Sequence, residues 1–143
     1  MNPPAIQIPG HHVRIGCDVV ALNEIENSLA AFGNRFLAKI YTADELATCE
    51  GPNRLPRLAA RFAAKEAAMK AFARPDAAFV PLEIEVVTVD FLPTLRLAGS
   101  VAQLAAEQQW RQITVSMTHA DCHAAAVVVV VCGEPVDEPA STL

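Results

Sequence analysis

The sequence predicts an α+β fold in which an antiparallel sheet packs on a long central helix. The segment from Leu58 to Ala73 has almost no helix-breaking residues and is rich in alanine, which favours one long helix. The strand patterns are concentrated in the second half of the chain and follow one another directly, as they do in antiparallel sheets. A length of 143 residues without internal repeats corresponds to a single domain.

The first half of the chain is predicted to hold one strand and two short helices. Residues 13–20 alternate like a strand, and Gly16 leaves room for a ligand or another backbone beside Asp18. Taken alone, Asp18 is better explained as a strand-end cap for the helix that follows. That helix, over residues 21–32, is amphipathic, and Thr42–Glu45 forms a capping box that starts a second one. In the predicted strand 13–20, one face carries Val13, Ile15 and Cys17, and the other carries Arg14, Gly16 and Asp18.

The second half is predicted to be mostly strands. Residues 82–89 and 94–99 form a hairpin with a break at Pro93, and Ser100 caps a helix that ends near Gln109. Two further strands, 112–118 and 124–132, are joined by residues 119–123. The predicted domain covers residues 13–132, after a flexible extension at 1–12 and before a disordered acidic tail at 133–143.

Composition and charge exclude several classes of protein. The net charge of −5 argues against nucleic acid as the main partner. No uncharged run approaches the roughly 18–20 residues of a membrane span, and the first residues lack the layout of a secretory signal, so we expect a cytoplasmic protein. The cysteines have no zinc-site spacing and are interpreted as buried thiols: Cys17, Cys49, Cys122 and Cys132.

The charges of the central helix point to a binding site for phosphates. Leu58, Phe62, Met69 and Phe72 form an apolar stripe, and most of the remaining surface is alanine. Glu66 is the one acid in a segment that carries six of the eleven basic residues. Glu66 and Lys70 have the spacing of an ordinary helical ion pair. A carboxylate within a basic segment also suits a divalent cation held against phosphate oxygens. The six basic residues are Arg54, Arg57, Arg61, Lys65, Lys70 and Arg74.

Three separated segments resemble the holo-acyl-carrier-protein synthase type of 4′-phosphopantetheinyl transferase. The central one, Arg61-Phe62-Ala63-Ala64-Lys65-Glu66-Ala67 followed by Lys70 and Ala71, is specific to that family. The other two are Ile15-Gly16-Cys17-Asp18-Val19-Val20 and Val115-Ser116-Met117-Thr118-His119. The resemblance extends over about residues 13 to 131, and the order and spacing of the three segments agree with the family.

The resemblance implies a compact α+β enzyme that assembles as a homotrimer with active sites between subunits. Such an enzyme transfers phosphopantetheine from coenzyme A to a serine of an apo acyl carrier protein, of a fatty-acid or polyketide pathway, and releases adenosine 3′,5′-bisphosphate. Asp18 and Glu66 would hold Mg²⁺ against the pyrophosphate, and Glu66 is also the candidate base for the serine proton. Lys70 would contact the pyrophosphate, Arg61 and Lys65 other phosphate oxygens, and His119 the phosphates or the pantetheine arm.

Departures from the family pattern leave two alternatives open. Residues 72–76 replace a Gly-Thr-Gly turn that lines the coenzyme site in the family. Glu24 stands where an arginine would meet the acidic carrier, with Arg14, Arg35 and Lys39 nearby, so we expect a less acidic carrier. The alternatives are a non-catalytic relative that binds carrier proteins and a Mg²⁺-dependent hydrolase of nucleotide diphosphates.

Overall fold

The computed structural model describes Gln7–Ile8 and residues 11–133, and this part of the chain has the predicted α+β fold. Its helices are α1 (Leu22–Phe32), α2 (Asn34–Ile40), α3 (Ala43–Cys49), α4 (Arg54–Phe72) and α5 (Gly99–Glu107). Its strands are β1 (Gln7–Ile8), β2 (His11–Ala21), β3 (Ile84–Val89), β4 (Leu92–Leu97), β5 (Trp110–His119) and β6 (His123–Gly133). No helix of these residues is long and apolar enough to span a bilayer.

The strands form two antiparallel sheets. The larger has the order β1-β2-β6-β5, and the predicted hairpin, β3-β4, stands as a separate pair. Residues 7–8 and 11–12 are strand residues, although the sequence analysis assigns them to a flexible extension, and Gly133 belongs to β6. The rest of the predicted extension and of the predicted tail lies outside the described residues.

The central helix packs its alanine side on the larger sheet. Ala63, Ala64, Ala67 and Ala68 are fully buried, whereas Phe62 of the predicted stripe is only half-buried. A methyl side chain lets the backbones of α4 and β2 approach closely, which a longer side chain would prevent. Gly16 completes this contact, because a Cβ there would overlap the carbonyl oxygen of Ala67. Of the two predicted uses of Gly16, close approach to a backbone is the one observed.

The helix begins earlier than predicted. The sequence predicts the helix from Leu58, after a segment rich in Gly, Pro and Asn, yet α4 starts at Arg54. Pro56 lies in the first turn, where a backbone N–H has no partner within the helix, so its missing donor costs little. The helix ends at Phe72, and Ala73 adopts the left-handed conformation, with φ 53°.

Several local predictions need correction. Ser100 lies inside α5 and not at its cap; the carboxylate of Glu83 accepts hydrogen bonds from its backbone N–H and hydroxyl. Pro93 does not end the strand, because it pairs with Thr88 within a two-stranded sheet in which every strand is an edge. Cys49 and Cys132 are buried as predicted, but Cys17 and Cys122 are exposed. The capping box of Thr42 and Glu45 is present as predicted.

Candidate active site

Asp18, Glu66 and Lys70 come together where β2 crosses α4. Lys70 Nζ donates to Asp18 Oδ1 at 2.9 Å and to the carbonyl oxygen of Cys17 at 3.1 Å. Glu66 lies one turn before Lys70 on the same face of the helix. The close contact at Gly16 brings the strand to this face, so the first and second segments of the family motif meet in space.

The electrostatics of this cluster are those of a crowded carboxylate pair. Burial and the neighbouring charge of Asp18 raise the pKa of Glu66, and Lys70 only partly offsets them. The hydrogen bond from Lys70 to Asp18 and the attraction of the two charges raise the pKa of Lys70, so it stays protonated. Two carboxylates that repel each other, with one of them partly desolvated, favour the binding of another positive charge.

The cluster borders a pocket of about 410 Å³. Glu66 and Lys70 line it along α4, and Arg74 lines it just beyond the end of that helix. Its volume is within the range of small-molecule sites. The remaining lining residues are mostly apolar: Met69, Ala73, Pro75, Ala77 and Phe79.

The donor set fits Mg²⁺ better than a metal held entirely by protein. Asp18 and Glu66 offer two carboxylates, and no group of three or more histidine, cysteine, aspartate or glutamate side chains that could hold a metal occurs in the described part of the chain. Mg²⁺ characteristically uses one or two carboxylates together with substrate phosphates and water. The residues present therefore fit that ion when a phosphate ligand completes its coordination.

Lys65 has a different role from the predicted one. It is fully buried, and its Nζ donates to Glu45 Oε1 at 2.8 Å and to the carbonyl oxygens of Pro81 and Ile84. All three ammonium N–H groups thus have partners inside the protein. Burial lowers the pKa of Lys65, an effect that the carboxylate of Glu45 opposes. We correct the prediction: in this structure Lys65 ties α4 to α3 and β3 and has no donor left for a phosphate.

Arg61 and His119 also lie apart from the pocket. Arg61 is 8 % exposed, and its Nη1 donates to the carbonyl oxygen of Arg57. His119 is exposed at the end of β5, which is separated from β2 by β6. Two strand spacings put it roughly 10 Å from the β2 backbone. Neither residue lines the pocket of Glu66 and Lys70, so their predicted roles in binding coenzyme A stay predictions.

Arg74 is the pocket residue whose role the sequence analysis missed. The sequence predicts Arg74 as one of the six basic residues of this segment, Arg74-Pro75-Asp76 as the stop of the helix, and residues 72–76 as a departure from the family's glycine turn. Arg74 Nε and Nη2 donate to Asp76 Oδ1 and Oδ2, each at 2.9 Å. The Arg-Pro-Asp order, in which a proline separates two opposite charges, was the available signal.

Comparison with known proteins places the chain in a family. A profile of the 4′-phosphopantetheinyl transferase superfamily matches residues 14–130. The holo-acyl-carrier-protein synthase of Dehalococcoides mccartyi is 40% identical over 115 residues, which cover 80% of this chain and 94% of that one. That of Chloroflexus aggregans is 41% identical over 128 residues, which cover 80% and 91%.

Solved structures agree with the sequence comparison. The crystal structure of the Neisseria meningitidis holo-acyl-carrier-protein synthase has a TM-score of 0.74 and 28% identity, covering 82% of this chain and 96% of that one. That of Helicobacter pylori, in complex with coenzyme A, has a TM-score of 0.70 and 26% identity, covering 81% and 98%. The chain belongs to the 4′-phosphopantetheinyl transferase superfamily and is an enzyme of its holo-acyl-carrier-protein synthase family.

Proposed function

We propose that this protein transfers the 4′-phosphopantetheine group of coenzyme A to a serine hydroxyl of an apo acyl carrier protein and releases adenosine 3′,5′-bisphosphate. The observation that carries the proposal is the meeting of Asp18, Glu66 and Lys70 at the border of the 410 Å³ pocket. A pyrophosphate needs cationic neutralisation on its oxygens, and these residues supply an ammonium group and two carboxylates suited to Mg²⁺.

Lys70 and the carboxylate pair of Asp18 and Glu66 would have different roles in binding the pyrophosphate. Lys70 is half-exposed and charged, so it is able to contact phosphate oxygens without leaving the site. Asp18 and Glu66 would hold Mg²⁺, which when bound neutralises the charge that develops on the leaving phosphate. Asp18 now accepts from Lys70; we infer that this ion pair rearranges when a phosphate takes the ammonium group.

Glu66 is also our candidate for the general base. It borders the pocket that would hold the coenzyme, so a serine hydroxyl directed at the phosphate would come near it. The proton of the serine would pass to Glu66, directly or through a water molecule, as the serine oxygen bonds to phosphorus and the bond from phosphorus to the bridging oxygen of adenosine 3′,5′-bisphosphate breaks.

We infer the surface that binds the carrier protein from a groove where α1 ends and α2 begins. Phe32 is 61% exposed and lines a groove of about 270 Å³ together with Arg35, Phe36 and Lys39. The two cations make no ion pair with any residue that the structure describes. Arg14, which the sequence analysis counted with them, instead donates to the carbonyl oxygen of Phe72. An apolar groove beside two unpaired cations suits an amphipathic helix with an acidic face.

A homotrimer is part of the same proposal. The face of β2 that points away from α4 carries Ile15 and Val19, which are 65% and 62% exposed. The neighbouring strand β6 adds Val127, Val129 and Val131 to this face, all half-buried in the single chain. An apolar sheet face of this kind is typical of an interface between subunits.

Intact-mass spectrometry tests the transfer directly. Two apo carrier proteins, one strongly acidic and one near neutral, are incubated with the protein, coenzyme A and Mg²⁺. We expect a gain of one phosphopantetheine group, its absence in EDTA and in Glu66→Gln, and its retention in Glu50→Gln, a change at an exposed glutamate of α3's C-terminal cap. The two carriers also test the expected preference for a less acidic partner.

The rival functions give different results in the same experiment. A hydrolase would form nucleotide product from coenzyme A without any carrier protein. A non-catalytic relative would bind the carrier and leave its mass unchanged. Either result would overturn the proposed transfer.

A further inference from the structure

The pocket beside α4 has a second cationic group in addition to Lys70. Arg74 lines the same pocket, four residues further along the chain, and its side chain is 48% exposed. Arg74 lies beyond the end of α4, after Ala73, so its cation reaches the pocket from the segment that follows the helix. Two cations that line one pocket suit a ligand that carries more than one phosphate group.

Asp76 holds Arg74 in a fixed orientation. It accepts from Nε and Nη2, which occupies one edge of the guanidinium group. An arginine has five N–H donors, and the others have no hydrogen-bond partner among the residues that the structure describes. Asp76 itself is not a lining residue of the pocket. The carboxylate therefore orients the cation, and the free edge remains available to an anion.

The wall between the charged groups is apolar. Met69, Pro75 and Phe79 line the pocket, and the ring of Phe79 is fixed edge-on against Phe62, with centroids 6.3 Å apart. A flat aromatic base fits such a surface. In coenzyme A the adenine lies on a ribose that carries the pyrophosphate at its 5′ oxygen and a phosphate at its 3′ oxygen.

We propose that Arg74, oriented by Asp76, binds the 3′-phosphate of coenzyme A and makes this enzyme select coenzyme A over its 3′-dephospho form. The proposal rests on the proposed function for the identity of the ligand. Lys70 would contact the pyrophosphate, and the apolar wall would contact the adenine. Ala73, in the left-handed conformation, turns the chain so that Arg74 faces the pocket at the place where the family's glycine turn is missing.

The test compares kcat/KM for coenzyme A and for 3′-dephospho-coenzyme A. The test variant is Arg74→Gln. The matched control is Arg96→Gln, which removes an exposed arginine of β4 that pairs with Glu85 of β3. We expect Arg74→Gln to lower kcat/KM for coenzyme A about tenfold, mainly through KM, and to leave the dephospho form nearly unchanged. Arg96→Gln should change neither substrate.

Two results would overturn the proposal. One is an equal loss on both substrates, which would assign Arg74 to the pyrophosphate or the adenine. The other is no loss on either substrate.

Calorimetry separates this inference from the proposed function, because it needs no transfer. Wild-type protein should bind adenosine 3′,5′-bisphosphate more tightly than adenosine 5′-monophosphate, and Arg74→Gln should lose that difference. If this holds while no carrier is modified, the 3′-phosphate site stands and the proposed transfer fails. If wild-type protein binds both nucleotides equally, the site is refuted whatever the transfer assay gives.

Discussion

Lys65 and Glu66 are adjacent in the chain, yet their side chains lie in different environments. Neighbouring helix positions are about 100° apart around the axis. Lys65 therefore enters the core and meets Glu45, while Glu66 borders the pocket. One residue supports the position of α4, and the other presents the charge that the proposed chemistry uses.

At neutral pH the ionised Glu66 opposes folding, because burial and Asp18 raise its pKa in the folded state. Between the ordinary glutamate pKa and this raised value, the folded protein binds more protons than the unfolded chain. The free energy of unfolding therefore falls as the pH rises through that window. Glu66→Gln removes the effect, so at pH 7 its Tm should rise by about 1–3 °C, measured without Mg²⁺ or nucleotide.

The gain from Glu66→Gln should disappear below the ordinary glutamate pKa, where the carboxyl is protonated in both states. Glu50→Gln, at an exposed position, should show no gain at either pH. A Tm for Glu66→Gln equal to or below that of the wild type at pH 7 would contradict the assigned pKa shift.

Lys65→Met should destabilise the protein strongly. The change leaves the carboxylate of Glu45, which is 1% exposed, without its cation. Removing one partner of a buried ion pair costs about 3–5 kcal/mol in the free energy of unfolding. Urea denaturation measures this loss, and Lys39→Met, at an exposed lysine of α2, should cost less than about 0.5 kcal/mol. A small effect of Lys65→Met would mean that the pair is not buried as described.

Among the elements, the contact between α4 and β2 determines the geometry of the site. The alanines of α4 and Gly16 of β2 allow the two backbones to touch. Asp18 is two residues beyond Gly16, and Lys70 lies between Ala67 and Ala71, the residues of α4 that a Cβ at position 16 would meet. The distance between the carboxylates and the ammonium group therefore depends on this packing.

Gly16→Ala should separate β2 from α4 and weaken the site. Its Cβ meets the backbone of α4, which cannot rotate away as a flexible side chain would. We expect a loss of about 1–3 kcal/mol in the free energy of unfolding. The protein that remains folded should also lose the proposed transfer activity, measured per folded molecule. Gly51→Ala, where no atom lies within 4 Å of the added Cβ, is the packing control. Its φ of 119° favours glycine, so this change should cost about 1–3 kcal/mol in the free energy of unfolding and leave activity intact. Full activity of Gly16→Ala would refute the dependence of the site on this contact.

Charge reversal in the groove beside α2 should change the kinetics for the carrier protein and not those for coenzyme A. Arg35→Glu combined with Lys39→Glu reverses the charge beside Phe32 without touching the coenzyme pocket. KM for the apo carrier protein should rise about tenfold or more, with the larger effect at low salt. KM for coenzyme A should not change. Unchanged carrier kinetics at low salt would place the acceptor elsewhere.

On the scale of the whole molecule, α4 covers one face of the large sheet, and the residues that the structure describes leave the opposite face of β2 exposed. The uncovered face carries Ile15, Val19 and the outer valines of β6. Ile15→Lys with Val19→Lys should therefore convert the proposed trimer to monomers and reduce transfer. Size-exclusion chromatography with light scattering measures the mass in solution. Phe91→Lys, a change at a fully exposed apolar residue of the β3-β4 turn, should leave it unchanged. A monomeric wild-type protein would refute the trimer.

The sequence determined the family and most of the elements, although it did not predict α2 or β1. Periodicity and alanine content predicted α4, alternation predicted β2, and the continuous apolar run of residues 124–132 predicted β6 as a buried strand. The Thr42 capping box was recognised from local chemistry alone. These features depend on residues that are neighbours in the chain. The motif around Glu66, with the segments at Asp18 and His119, was sufficient to recognise the family.

Only the tertiary structure decided which charges of α4 belong to the site. Helical spacing gives the angle between Lys65, Glu66 and Lys70, but not which side of the helix meets the sheet. An alanine-rich helix leaves that choice open, because no broad polar face marks the solvent side. The contact joins Gly16 and Ala67, which are 51 positions apart in the chain. It turns Glu66 and Lys70 toward Asp18, and it turns Lys65 into the core. Arg74 lies beside the same pocket because it is two residues beyond the end of α4, whose position this packing sets.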